Sequence, residues 1–147
     1  VAKRDVAVSR AVPLAVGVDM VEIPRVARAI SRWGERFLQR VYTASEIARC
    51  RGRVPELAAR FAAKEAVSKA LGVGIWWQGG ISWTDAEIVS DPLGKPEVVL
   101  YGRAAERARA LGLDEWAVSL SHTREHAIAM VVAQHIDAQC AGARGGG

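Results

Sequence analysis

Arg60-Phe-Ala-Ala-Lys64-Glu65-Ala-Val-Ser-Lys69-Ala-Leu-Gly72 puts one acid and three bases on a short alanine-rich stretch. The stretch reads as part of a helix. Pro55 suits the first helical position, where its missing N–H costs nothing, and Gly72 suits the end. Glu65 and Lys69 stand four apart and share a face, with Phe61 one turn earlier on that face. Alanine at 58, 59, 62, 63, 66 and 70 lets other backbone approach closely. Such a helix can carry charge into a packed setting. An exposed Glu–Lys pair, worth about a few tenths of a kcal/mol, accounts for the same spacing and remains the alternative.

On the N-terminal side, Leu14-Ala-Val-Gly17-Val-Asp19-Met-Val-Glu-Ile23 reads as a buried strand with an acid in its middle. Strand alternation sets Asp19 on the face of Gly17, Val21 and Ile23, and Val16, Val18 and Met20 on the other. Neither face is polar around it. An isolated carboxylate there costs several kcal/mol or stays protonated. A cation removes the problem, and magnesium suits it, being typically held by one or two carboxylates plus substrate phosphates. Asp19 and Glu65 are the natural pair. The competing reading has Asp19 ending the strand or capping a helix that starts near Pro24. On the C-terminal side, Trp116-Ala-Val-Ser-Leu-Ser-His122-Thr is an apolar strand, and Ala127–Ala133 is a second. His122 is expected in the turn between them, where a histidine can bind phosphate, shuttle a proton or face solvent.

These pieces together resemble the holo-acyl-carrier-protein synthase group of the 4′-phosphopantetheinyl transferases. The matching motifs are Gly17-Val-Asp19-Met-Val-Glu-Ile, Arg60-Phe-Ala-Ala-Lys-Glu65-Ala, Gly94-Lys95-Pro96 and Ser119-Leu-Ser-His122-Thr, in that order. They extend over Ala15 to Gln134; the Arg-Phe-Ala-Ala-Lys-Glu stretch is specific, whereas Gly-Lys-Pro alone is weak. The resemblance implies a magnesium-dependent enzyme. It moves the phosphopantetheine arm of coenzyme A, its co-substrate, onto a serine of an apo acyl carrier protein and releases adenosine 3′,5′-bisphosphate. It implies Asp19 and Glu65 as metal ligands and Glu65 and Lys69 as catalytic residues. Arg60, Lys64, Lys95 and His122 become coenzyme contacts. For Lys69 the alternative is an ion pair with Glu65, and for Lys95 a plain hairpin turn. The serine proton goes to Glu65 directly or through a metal-bound water; a metal-bound carboxylate is a poor base, which favours the water.

Arg25, Arg28, Arg32 and Arg36 recur at helical spacing after the first strand, the first three close to one face. Acyl carrier proteins are acidic, and the resemblance makes Arg25, Arg28 and Arg32 their docking face; the alternative is a solvated basic face. The resemblance also implies a homotrimer whose site is completed by a neighbouring subunit. Trp76, Trp77 and Trp83 are read as packing or a subunit contact rather than a ligand-stacking site.

Composition agrees. The chain has 147 residues, 50% of them hydrophobic, enough for one domain with a real core. The formal net charge of +4 favours an anionic partner. No apolar run is long enough for a membrane span, and no cleavable signal peptide is evident. Cys50 and Cys140 sit in no metal or redox spacing and read as free thiols in a cytoplasmic protein. Residues 1–13 read as a flexible leader, 14–136 as the transferase domain, and 137–147 as a glycine-rich flexible tail. Helices are expected at Pro24–Trp33, from a capping box at Thr43-Ala-Ser-Glu46, at Pro55–Leu71 and at Gly102–Leu111. Strands are expected at Ser82–Val89 and Glu97–Tyr101, joined by Asp91-Pro-Leu-Gly94-Lys-Pro96. The fold class is α+β, a largely antiparallel sheet packed against the long helix.

Two rival functions use the same features. A nucleic-acid-binding module would explain the basic balance, but no such motif is present and the aromatics do not interleave with the basic helix. A magnesium-dependent nucleotide hydrolase would use the same carboxylates, but no phosphate-binding glycine loop of that type is present.

Overall fold

The alanine-rich segment forms helix α4, Val54–Leu71, the centre of the computed structural model. The model describes residues 14–76 and 78–136. The expected leader and tail, Cys140 and Trp77 lie outside them. Gly72 ends α4 in a left-handed conformation with φ +69°, as a glycine after a helix readily does. This helix is enclosed on nearly every side: its alanines at 58, 59, 62, 63, 66 and 70, with Leu57, Val67 and Leu71, are all buried.

One wall is a three-stranded antiparallel sheet. It is made of β1 (Leu14–Glu22), β4 (Glu115–His122) and β5 (His126–Gln134) in the order β1-β5-β4. Ala15, Gly17, Asp19 and Val21 of β1 face α4, as do Ala127, Ala129, Val131 and Ala133 of β5. The small residues matter. A Cβ on Gly17 would collide with the Ala66 carbonyl and stand 3.0 Å from the Ala70 nitrogen. The strand is half-buried rather than buried, because Leu14, Val16, Val18 and Met20 on its other face are exposed. Ile23 already belongs to the next helix, α1 (Ile23–Trp33).

Two further helices precede α4: α2 (Glu35–Val41) and α3 (Ala44–Cys50). Gly34, at φ +53°, separates α1 from α2, so Arg36 stands on a different helix from Arg25, Arg28 and Arg32. The capping box forms as read: Thr43 Oγ1 accepts from the Glu46 N–H, and Glu46 Oε2 accepts from the Thr43 N–H at 2.8 Å. Beyond α4, Trp83–Asp85 is a 3₁₀ turn rather than strand, with its own capping box from Ser82. A two-stranded hairpin follows, β2 (Ala86–Ser90) and β3 (Pro96–Leu100), and then α5 (Gly102–Leu111). The antiparallel strands and the central helix agree with the α+β expectation. Among the described residues no helix is long and apolar enough to cross a membrane.

A charge is buried where these layers meet. Lys64, on α4, is fully enclosed and pairs with Glu46 of α3 at 2.9 Å. Its ammonium also donates to the carbonyls of Ala86, at 2.5 Å, and Trp83, at 3.2 Å. The other Glu46 oxygen accepts from the Ile88 N–H at 2.9 Å. Burial pulls the Lys64 ammonium below the usual lysine range, and Glu46 is the chief opposing influence. Removing one partner from a buried pair leaves the other's charge uncompensated. Lys64→Met and Glu46→Leu are each expected to cost about 3–5 kcal/mol of unfolding free energy in urea titrations, and the double variant far less than the sum. Near-additive losses would show that the pair is not the source of the cost.

Candidate active site

Asp19 and Glu65 come together because β1 lies directly on α4. Gly17 admits the Ala66 carbonyl; Asp19 follows two residues along the strand on the same face, and Glu65 precedes Ala66 on the helix. The Asp19 side chain is 18% exposed, and Lys69 Nζ sits 2.8 Å from its Oδ1. The same ammonium donates to the Val18 carbonyl at 3.0 Å. Lys69 therefore pairs with Asp19, not with Glu65 as the four-residue spacing suggested. The Glu65 carboxyl is held above the ordinary carboxylate range, first by partial burial and then by the charge of Asp19. Lys69 and Arg25 pull the other way. Two carboxylates and a half-exposed ammonium thus share one corner, with Arg25 of α1 close enough to be felt.

This donor set fits a hard divalent cation. Both carboxylates rest on elements locked by packing, their mutual repulsion is what a cation relieves, and two carboxylates leave positions for substrate oxygens and water. Among the described residues no group of three or more His, Cys, Asp or Glu side chains could hold a metal on its own. Beside this corner, Val21, Arg25, Val26, Ala29, Phe37 and Phe61 line a small cleft of about 160 Å³.

The expected coenzyme contacts fare differently. Lys64 is a correction: wholly buried and bonded to Glu46 and two carbonyls, it has no surface to offer a ligand. Arg60 is 5% exposed and donates to Ser90 Oγ at 3.3 Å, while its buried Nε has no hydrogen-bond partner. Lys95 lies in the β2–β3 turn, where its N–H donates to Asp91 Oδ1 at 2.9 Å; the turn abuts Arg49 of α3, not the carboxylates. His122 is the exposed last residue of β4 rather than a turn residue. It pairs across β5 Ala127 with Val21, so two strand spacings, roughly 10 Å, separate it from β1. One chain therefore gathers Asp19, Glu65, Lys69 and Arg25, and leaves Lys95 and His122 apart. Arg25, Arg28 and Arg32 are all exposed along α1. Trp83 packs on Phe61 with ring centroids 4.7 Å apart, as a packing role requires.

Comparison with known proteins agrees with this architecture. The family profile of the 4′-phosphopantetheinyl transferase superfamily matches residues 15–131. The holo-[acyl-carrier-protein] synthase of Herpetosiphon aurantiacus is 50% identical over 81% of this chain and 97% of its own. That of Dehalococcoides mccartyi is 50% identical over 82% and 98%. The crystal structure of the Helicobacter pylori holo-[acyl-carrier-protein] synthase in complex with coenzyme A superposes with a TM-score of 0.73 at 35% identity, covering 80% of this chain and 98% of that one.

The raised proton affinity of Glu65 has a consequence for stability. A carboxyl that binds its proton more tightly folded than unfolded favours the fold while protonated, and that contribution is lost as pH rises through its folded pKa. Glu65→Gln is therefore expected to raise the thermal midpoint above that of the parent at pH 7–8. The difference should vanish below about pH 4, where the carboxyl is protonated in both states. A midpoint lowered at neutral pH would mean that Lys69 and Arg25 outweigh burial and Asp19.

Proposed function

The chain belongs to the 4′-phosphopantetheinyl transferase superfamily, and from that membership we propose how its own residues perform the reaction. The activity is that of a holo-[acyl-carrier-protein] synthase. Coenzyme A is the co-substrate and an apo acyl carrier protein the acceptor. The carrier's serine oxygen attacks the phosphorus bearing the pantetheine arm, the phosphoanhydride bond breaks, and adenosine 3′,5′-bisphosphate leaves.

The observation that carries the site assignment is the juxtaposition of Asp19 and Glu65, with Glu65 perturbed by its neighbour's charge. They are the residues that would hold Mg²⁺. The ion supplies charge neutralisation on the pyrophosphate and orients the bond to be cut. Lys69 has a half-exposed side chain one turn beyond Glu65, so its ammonium can reach a phosphoryl oxygen as a point charge. Arg25, Arg28 and Arg32 offer the acidic carrier a basic face beside this corner. We place the reaction in the cytoplasm, consistent with Cys50 being a buried free thiol.

Asp19→Asn and Glu65→Gln each remove charge from the metal site at almost constant volume. Each is expected to lower transfer by at least about 100-fold, as loss of a transition-state electrostatic contact does, with the fold retained. Chelation of the parent should do the same. Incubation with apo carrier protein, coenzyme A and magnesium, followed by mass spectrometry of the carrier, reads the outcome directly. Full transfer by either variant at limiting magnesium sinks the assignment. An unmodified carrier with the parent enzyme sinks the reading itself.

A homotrimer whose site is completed across subunits is part of this reading. Leu14, Val16, Val18 and Met20 of β1 and Ile128 and Met130 of β5 form an exposed apolar face, each residue at least 39% accessible. Surface of that kind is normally covered by another protein surface. The separation of His122 and Lys95 from the carboxylates supports coenzyme contacts donated by a neighbour. Light scattering at assay concentration is expected to give the trimer mass; an active monomer removes this part of the proposal.

A further inference from the structure

Helices at a protein surface are turned to one orientation by their own polar and apolar faces. Helix α4 has no such guide. It is enclosed on nearly every side, with alanines at 58, 59, 62, 63, 66 and 70 all buried. The sheet beside it presents Ala15, Gly17, Ala127, Ala129 and Ala133. Methyl against methyl lets the layers approach closely. Interlocking bulk is what gives a packed element one position, and this contact has little of it. Both ends of α4 are tied: Tyr42 Oη donates to the Leu57 carbonyl at 2.7 Å, and Arg107 Nε to the Leu71 carbonyl at 3.1 Å. Helix carbonyls point along the axis, so these bonds resist sliding more than turning.

Lys64 supplies what is missing. Among the described residues it is the one α4 side chain whose polar contacts reach three other elements. They are Glu46 of α3 at 2.9 Å, the Trp83 carbonyl of the 3₁₀ turn at 3.2 Å and the Ala86 carbonyl of β2 at 2.5 Å. Glu46 is itself fixed, by the Thr43 N–H at 2.8 Å and the Ile88 N–H at 2.9 Å. Both side chains are fully enclosed, so water cannot replace a lost partner. Phe61 also rests on Trp83, but aromatic contacts are favourable over a broad range of offsets.

Glu65 is the next residue, about 100° further round the helix. A turn of about 20° would carry a group on the helix surface by about 2 Å. A misplacement of about 1 Å can cost about 100-fold in rate. We propose that Glu46 and Lys64 are a positioning pair: their buried ion pair fixes the rotation of α4 and so sets the Glu65 carboxylate against Asp19. The charge of Asp19 is felt at Glu65, as that setting requires. Selecting one arrangement among near-equal packings is a role buried ionic groups can fill even where they add little stability. The inference rests on the site assigned above and extends it to two residues that touch no substrate.

The test uses Glu46→Gln/Lys64→Met in the full chain. The glutamine keeps an acceptor for the Thr43 and Ile88 N–H groups, and the methionine keeps an apolar stem, so the charges go without a large change of volume. The first readout is transfer onto apo carrier protein, taken well below the unfolding midpoint. Per folded molecule, kcat is expected to fall at least about tenfold. The KM for the carrier should hold, because its docking helix is α1. The second readout needs neither metal nor substrate. Asp19→Asn and Glu65→Gln are made singly and together in the parent and in the double variant, and urea midpoints of the metal-free proteins are compared. In the parent the two shifts should be non-additive, since neutralising either carboxylate relieves the same repulsion. With the pair removed they should become near-additive. A kcat within twofold of the parent, or equal non-additivity in both backgrounds, overturns the positioning pair and leaves an ion pair that serves only the fold. If the double variant does not fold, Glu46→Asp takes its place; it keeps both charges and withdraws the carboxylate by one methylene. The same two readouts and the same overturning results apply, with a fall in kcat of at least about threefold expected. If the parent itself transfers nothing, the activity assigned above falls, and the urea comparison alone decides the pair.

Discussion

The closest constraint in this fold is the passage of β1 backbone over α4 backbone at Gly17 and Ala66. No side chain fits between them. That contact sets the distance between strand and helix, and the two carboxylates inherit it: one lies two residues beyond Gly17, the other one residue before Ala66. With a Cβ at position 17 the helix would stand off, and Asp19 and Glu65 would no longer share a field. Their chemistry thus rests on a residue that contributes no functional group. The alanines of α4 and of β5 serve the same end, since bulk at 66, 70, 129 or 133 would also push the layers apart.

A helix enclosed on nearly every side has no polar face to spare, yet α4 carries charges at 60, 64, 65 and 69. The structure sorts them by what they meet. Lys64 points into the α3–β2 side and is neutralised by Glu46, with two carbonyls completing its hydrogen bonds. Lys69, five residues on, emerges on the β1 side with its side chain 53% exposed and rests on Asp19. The first lysine has every donor committed and cannot move; the second is held by an exposed contact that substrate can compete for. Burial and partner count, not residue type, separate a structural lysine from one available to chemistry.

Much of this was legible in the residues. Pro55 and Gly72 marked the ends of α4, Thr43-x-x-Glu46 marked the start of α3, and an acid in the apolar run of β1 pointed to the corner where Asp19 meets Glu65 and Lys69. What was hidden depended on contacts far apart in sequence. Glu46 read as a capping residue because its box is local, whereas its bonds to Lys64 and Ile88 cross 18 and 42 positions. A signal existed: a lysine among alanines on a helix with no polar stripe needs a buried acid somewhere. Helix α2 was missed because the arginine spacing runs on across Gly34, where the helix axis breaks. The Lys69 partner was missed because spacing along one helix cannot register a strand lying across it.

The like-charged corner explains why the fold is built so stiffly around it. Asp19 and Glu65 repel each other, and burial of Glu65 adds to the cost, so the pair would separate if either element could give. It cannot, since β1 is hydrogen-bonded along its length to β5 and α4 is closed in by both layers. In the free chain Lys69 sits on Asp19 and relieves part of the repulsion. Under the proposed reaction that ammonium is needed at phosphate, so Asp19 must exchange it for another positive charge. An exposed lysine on a rigid pair of carboxylates allows that exchange with only side-chain motion. Under that proposal, the stability lost at this corner is converted into affinity for a cation and its phosphate ligand, the use a preorganised site makes of the fold around it.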